Sequence, residues 1–255
     1  MEELQLERDE AAAHEEPARA GGRPAPLLGG PSLADQVYRV LRRQLMRGEL
    51  LPDQRLKIRD LARRLGTSET PVREAIFQLV RDGALELKPR HYVRVKRLSL
   101  PEYLEIRDVR LHLEPLAAER ALPFMDRAAV ATLAATHERL IEAERRGDFR
   151  AALDENFDFH FGLYWRSNLP VVISILESLW MQVGPLLNDL YPHARPVYAD
   201  RHQHEVILEA LERRDAYHLR EAVRQDLFEG GKNLVRHLRE LEEAEGATAG
   251  GSAKR

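Results

Sequence analysis

RGELLPDQRLKIRDLARRLGTSETPVREAIFQLVRDG, residues 47–83, holds two helical patterns with almost nothing between them. In the first, over 57–65, Ile58, Leu61, Ala62 and Leu65 recur at helical spacing. Gly66 stops it, as a residue able to adopt positive φ should at a helix end. The second starts after Ser68, a good N-cap residue, and puts Pro71 in its first turn, where a missing N–H does least harm. Val72, Ala75, Ile76, Leu79 and Val80 supply its apolar stripe, and Gly83 ends it. A turn as short as Gly66-Thr67 lays the second helix across the first, free to enter a major groove.

On the N-terminal side, Leu33, Val37, Val40, Leu41 and Leu45 mark a further helix over 31–47, broken by Gly48 and Pro52. On the C-terminal side, two short alternating runs, 85–88 and 92–96, flank Pro89, Arg90 and His91 and read as a hairpin. The order is helix, helix, tight turn, helix, hairpin: a winged helix-turn-helix over residues 31–97. This segment carries 16 Lys/Arg against 8 Asp/Glu, net +8. Residues 1–30 carry 3 against 7, and residues 98–255 carry 20 against 27. A basic module beside acidic flanks suits a polyanion partner, although a solvated charge run would look the same.

Reading DNA takes cations for phosphates and donors or acceptors aimed at base edges. Ser68, Glu69 and Thr70 lie at the end of the helix that would enter a groove, with Arg73 one turn on. A carboxylate such as Glu69 can accept from cytosine N4 but repels phosphate. Arg59 can hold a phosphate or reach a base, and Lys88, Arg90 and His91 can touch backbone or minor groove from the wing. The competing reading pairs Arg73 with Glu69 across one turn and leaves the rest as solubilising charge.

From Leu100 the chain reads as helix throughout: 101–122, 126–146, 149–166, 170–190, 200–213 and 215–240, punctuated by Gly147, Pro170, Pro192 and Pro196. Leu104, Val109, Leu113, Leu116 and Ala117 are the expected buried face of the first of these helices. The fold class is therefore mainly α: an N-terminal winged helix-turn-helix and an all-helical domain of six to seven helices over 98–242. Disordered tails are expected at 1–30 and 243–255. With 44% hydrophobic and 32% charged residues, a folded soluble protein is expected. The absence of Cys excludes disulfides, thiolate metal sites and Cys nucleophiles. No run of about 18 apolar residues is evident and the N-terminus lacks a secretory pattern, so a cytoplasmic protein without a membrane partner is expected.

Asn156 and His160, at i and i+4, share a helix face; His204 follows 44 residues later and Asp226 a further 22. Two imidazoles, an amide oxygen and a carboxylate suit a divalent cation. Read without any family the cluster is weak: ten His residues give many accidental pairs, and a histidine between Phe159 and Phe161 fits a packed core residue.

Residues 31–97 resemble the winged-helix reader of the GntR transcription regulators. The resemblance rests on the Leu-Pro of 51–52, the Leu-Ala of 61–62, the Leu-Gly of 65–66, SETPVREA at 68–75 and the closing Gly83. It implies operator contacts by Arg59, Glu69, Thr70 and Arg73. The family carries Arg where this chain has Glu69, which implies a changed base preference, and the wing glycine is replaced by His91-Tyr92. Residues 101–240 resemble the FCD-type effector domain of the FadR-like branch, through VRLHLEP at 109–115, the N-x-x-F-H of 156–160, the SN-x-P of 167–170 and HEVILEAL at 204–211. That resemblance implies metal ligands Asn156, His160, His204 and Asp226, with Asp226 standing where the family has a third His. Zinc or nickel is favoured by the imidazoles, and manganese is allowed by the oxygens. It also implies a homodimer, an inverted-repeat operator on double-stranded DNA, repression, and a small carboxylate effector with Arg110 as its anchor. An i,i+4 salt bridge of Arg110 to Glu114 is the plainer alternative for that residue. The remaining readings are a constitutive DNA binder, an acyl-thioester sensor without metal, and a metal-dependent enzyme.

Overall fold

The computed structural model describes residues 30–88, 92–198 and 201–252. Arg90, His91 and all but the last residue of the expected N-terminal tail lie outside the described residues. Residues from Pro31 onward form one compact unit.

Helix α1 (Leu33–Met46) opens with a reciprocal capping box, Ser32 with Asp35. Helix α2 (Ile58–Leu65) ends on Gly66 at φ 65°, and α3 (Glu69–Arg81) starts from an extended Ser68. Ser68 occupies the cap position without making the side-chain bond expected of it. Strands β1 (Arg55–Leu56), β2 (Leu85–Lys88) and β3 (Tyr92–Val95) form an antiparallel sheet in the order β1-β3-β2. Strand β1 escaped sequence reading because two residues carry no alternation. It pairs Arg55 with Arg94 and Leu56 with Val93.

Among the described residues seven helices follow: α4 (Leu100–Ala121), α5 (Arg127–Arg146), α6 (Phe149–Tyr164), α7 (Pro170–Val183), α8 (Gln203–Glu212), α9 (Ala216–Gly230) and α10 (Lys232–Ser252). The architecture is mainly α, a winged helix-turn-helix followed by a helical bundle, as expected. Four details differ from the sequence reading. The single helix expected over 215–240 is two, because the chain turns at Gly231, where an added Cβ would lie 2.7 Å from the Tyr103 hydroxyl. The helix expected over 170–190 changes to a 3-10 segment at Gly184. Helix α10 continues to Ser252, past residue 243, although Gly246, Gly250 and Gly251 are poor helix formers. Finally, α4 buries Tyr103, Ile106, Arg110, Glu114, Ala117 and Ala118, while Val109 is 41% exposed. A buried ion pair on the core face displaces the stripe that hydrophobicity alone would select.

Residues 170–190 have the length and composition of a membrane span, contrary to the expectation that no such run exists. From Leu176 onward they pack into the core, with Leu176, Trp180, Met181 and Val183 buried and Glu177 ion-paired to Arg42 of α1, while Val171 and Ile175 are exposed.

The reader and the bundle share one hydrophobic core. Phe157 and Phe161 of α6 and Trp180 and Met181 of α7 cluster with Leu41, Leu45, Ile76 and Leu79 of the reader. At about 1.5–3 kcal/mol per large apolar side chain buried, this shared cluster is a major stabilising contact. Around it, Arg47 is paired with Asp154 and Asp158, and its guanidinium lies 4.7 Å from the Phe157 ring centroid. The Asn188 amide donates to the carbonyl of Gly48 at 2.9 Å.

Candidate metal centre and DNA-reading face

Helix α6 projects His160 inward, α8 contributes His204 and α9 contributes Asp226; all three are buried. His160 Nε2 lies 3.3 Å from His204 Nε2 and 3.4 Å from Asp226 Oδ2, and His204 Nε2 lies 3.9 Å from Asp226 Oδ1. Ligands bonded tetrahedrally at about 2.0–2.1 Å to zinc stand about 3.3 Å apart. The three donors are therefore spaced for one small cation. Asn156 is half-buried and lines the adjoining cavity, of about 70 Å³, together with His160, Asp226 and Arg110.

A hydrogen-bond chain behind His160 sets its tautomer. Glu114, wholly buried, accepts from Arg110 Nε at 2.6 Å, from Trp180 Nε1 at 2.6 Å and from the Tyr164 hydroxyl at 2.9 Å. Burial raises the Tyr164 pKa well above its ordinary value, and the Glu114 carboxylate adds to this, so the phenol keeps its proton. With that proton directed at Glu114, the Tyr164 oxygen accepts from His160 Nδ1, 3.2 Å away. His160 Nε2 is then bare and faces the other two donors, the arrangement a metal-ligating histidine needs.

Electrostatics support the same reading. Burial pushes His160 down to about 4 and His204 well below the ordinary imidazole value, with neighbouring histidines adding to the latter. Both rings are neutral ligands at physiological pH. Burial, then the charge of Glu114, raises Asp226 to about 7. Burial opposes the Arg110 cation, but Glu114 outweighs it and the guanidinium stays charged. Arg110 also lies over the Trp180 ring, 4.5 Å from its centroid. The salt-bridge alternative for Arg110 is thus realised, and the same side chain still lines the cavity.

The structure brings His160, His204 and Asp226 together, with Asn156 and Arg110 on the same cavity wall. Sequence reading missed Glu114 as a hub, Tyr164, Trp180, and a second group, His137 and His202, beside His204. Tyr164 stands four residues after His160, a spacing that carried a signal. Trp180 had none, being joined to Glu114 only by folding.

On the reader, Arg59, Ser68, Glu69, Thr70 and Arg73 are all exposed. Arg73 and Glu69 stand 3.7 Å apart, a loose surface pair. Lys88 is half-buried and paired with Glu86 at 2.7 Å. The exposed start of α3, after the tight turn at Gly66, is the geometry of a recognition helix.

A winged helix with an open recognition face, set on a helical bundle with a buried His/Asp centre, defines a two-part transcription regulator. Residues 33–95 match the family described as "Bacterial regulatory proteins, gntR family", and residues 105–228 match the FCD domain. The chain is 34% identical over 186 residues to the HTH-type transcriptional regulator McbR of Escherichia coli, covering 72% of this chain and 84% of that protein. It is 27% identical to the HTH-type transcriptional repressor RspR of the same organism, covering 80% of this chain and 90% of that protein. The solved structure of E. coli McbR/YncC superposes with a TM-score of 0.74 at 31% identity, covering 82% of this chain and 99% of that one. The chain belongs to the GntR family, with an FCD domain. It is a DNA-binding transcription regulator, and the enzyme alternative falls away.

Proposed function

We propose that this regulator is a cytoplasmic homodimer that represses transcription from an inverted-repeat operator and responds to a small carboxylate at a metal held in its helical domain. The convergence of His160 Nε2, His204 Nε2 and Asp226 within 3.3–3.9 Å of one another carries this reading. Those three side chains, with Asn156 beside them, would hold the cation; zinc or nickel fits the imidazoles best and manganese fits the oxygens. Bound there, the ion offers Lewis acidity to a carboxylate. The chain's own part is to keep both imidazoles neutral and aimed, to exclude bulk water, and to present the Arg110 guanidinium to an anion. The adjoining cavity, of about 70 Å³, is of a size for a small acid.

On the DNA side, Arg59, Ser68, Glu69, Thr70 and Arg73 would form the reading face, with Lys88, Arg90 and His91 on the wing. Two such readers related by a two-fold axis need matching half-sites. An effector changes operator affinity only if it binds the DNA-compatible and free states differently. Trp180 joins the two ends of such a coupling, bonded to Glu114 and packed in the reader's core.

The test uses untagged protein, its metal content and a footprinted operator titrated with a panel of organic acids. Stoichiometric metal and an acid-dependent fall in operator affinity are expected, with His204→Ala abolishing the response and leaving DNA binding without effector intact. A response to acids that survives His204→Ala would overturn the metal–carboxylate reading.

A further inference from the structure

We infer that His137, His202 and His204 form a second divalent-cation site, on the opposite side of the His204 ring from the first. His137 comes from α5, His202 is the N-cap of α8, and His204 lies in that helix's first turn. Their ring centroids stand 4.9 Å (137 to 202), 5.4 Å (137 to 204) and 4.4 Å (202 to 204) apart. One nitrogen from each lies within 4.8 Å of the other two.

The observation that points to a ligand is a pair of bare nitrogens. Nδ1 of His137 and Nδ1 of His204 are both buried and neither has a hydrogen-bond partner. One unsatisfied buried polar atom costs about 1–3 kcal/mol, and two in adjacent rings call for an occupant. The tautomers agree. With His160 Nε2 bare, the 3.3 Å contact between the two Nε2 atoms requires His204 Nε2 to carry the proton, which leaves its Nδ1 lone pair free. On His137, the Glu205 carboxylate lies 3.8 Å from Nε2, the side that draws the ring proton away from Nδ1. His202 uses Nδ1 to accept from the His204 amide at 3.1 Å; ligation through that nitrogen exchanges the capping bond for a coordinate bond.

Three imidazoles and no carboxylate in the set select a borderline cation such as zinc, nickel or cobalt over magnesium or calcium. Sharing His204 sets the relation between the two sites. A neutral imidazole has one lone pair, so filling one site withdraws His204 from the other. The second site does not rest on the first being occupied, and it binds best when the first is disabled.

The test is cobalt(II) titration of the untagged, metal-stripped full chain, followed by visible absorption and native mass spectrometry. His160→Gln/Asp226→Asn replaces an imidazole and a carboxylate of the first site by weak amide donors and spares His204. This variant is expected to bind one cobalt per chain, and adding His137→Ala is expected to abolish that binding. Failure of the folded double variant to bind cobalt overturns the second site, and a wild-type chain that still binds one ion leaves the first site standing. Binding by the double variant that His137→Ala leaves unchanged also overturns it, since the ion would then sit elsewhere. If the wild type loses no cobalt through His160→Gln/Asp226→Asn but all of it through His137→Ala, the second site stands and the first falls. Should the double substitution unfold the chain, His160→Gln alone makes the same comparisons.

Discussion

Glu114 is the residue on which the helical domain's polar interior turns. Its two oxygens take a guanidinium, an indole N–H and a phenol, all out of water. Breaking a buried ion pair by removing one partner's charge costs about 3–5 kcal/mol, because the other charge stays buried. Glu114→Gln should therefore lower unfolding stability by about 3 kcal/mol or more in urea melts, with Arg110 left uncompensated. Tyr164→Phe should cost less, about 1–3 kcal/mol, because it leaves the buried His160 Nδ1 without its acceptor and takes one donor from Glu114. Its larger effect should fall on metal affinity, weakened about tenfold to a hundredfold by loss of the group that orients His160. Competition with a chromophoric chelator reads that affinity, and an unchanged value would remove Tyr164 from the positioning role. The i,i+4 spacing of Arg110 and Glu114 was legible in sequence, as was that of His160 and Tyr164; that the Trp180 indole and the Tyr164 phenol both meet Glu114 was not.

Among the elements, α4 shows how a helix start encodes pH sensitivity. Ser99 and Glu102 form its capping box, and Lys96 donates to Glu102 at 2.6 Å. The Lys96 hydrogen bond, then the Ser99 amide, hold the Glu102 carboxyl at about 2, below its ordinary 4.5. A carboxyl depressed in the folded state stabilises fully above the unfolded value and loses that contribution as pH falls through the folded one. Glu102→Gln should thus cost stability at pH 7, and the difference should shrink between pH 4.5 and 2. The side chain is 42% exposed, so the effect at pH 7 should stay below about 1 kcal/mol. Urea unfolding at both ends of that range checks it; a difference that persists at pH 2 would assign the loss to the helix cap alone. The capping box of Ser99 and Glu102 was not read from the sequence, and its partner lysine is known only from the structure.

For the whole molecule, Gly48 and Gly184 form the junction where reader and bundle meet backbone to backbone. A Cβ on Gly184 would lie 2.1 Å from the Leu45 carbonyl oxygen and 2.7 Å from that of Met46. No rotamer relieves such a contact, because both atoms are backbone. Gly184→Ala should push α1 away from α7, reduce stability by about 1–3 kcal/mol as overpacking does, and separate the melting of reader and bundle. Differential scanning calorimetry should then show a broadened or double transition. A single transition at the wild-type temperature would mean that the junction yields without cost.

The sequence by itself determined the local plan. Glycine stops, caps and apolar spacing are encoded within a few residues, so α1 to α3, the hairpin and most bundle helices were readable. His160, His204 and Asp226 were named as a set only through the family resemblance, because side-chain type and spacing alone fit a packed core as well. Only the tertiary structure decided which face of α4 is buried, where the long helices break, and that reader and bundle share a core. It also decided that His137 and His202 stand beside His204. The reason is physical: periodicity reports average hydrophobicity along one element. A buried Arg110–Glu114 pair, a glycine whose missing Cβ admits a neighbouring backbone, and imidazoles from α5 and α8 are defined by what lies opposite them in space.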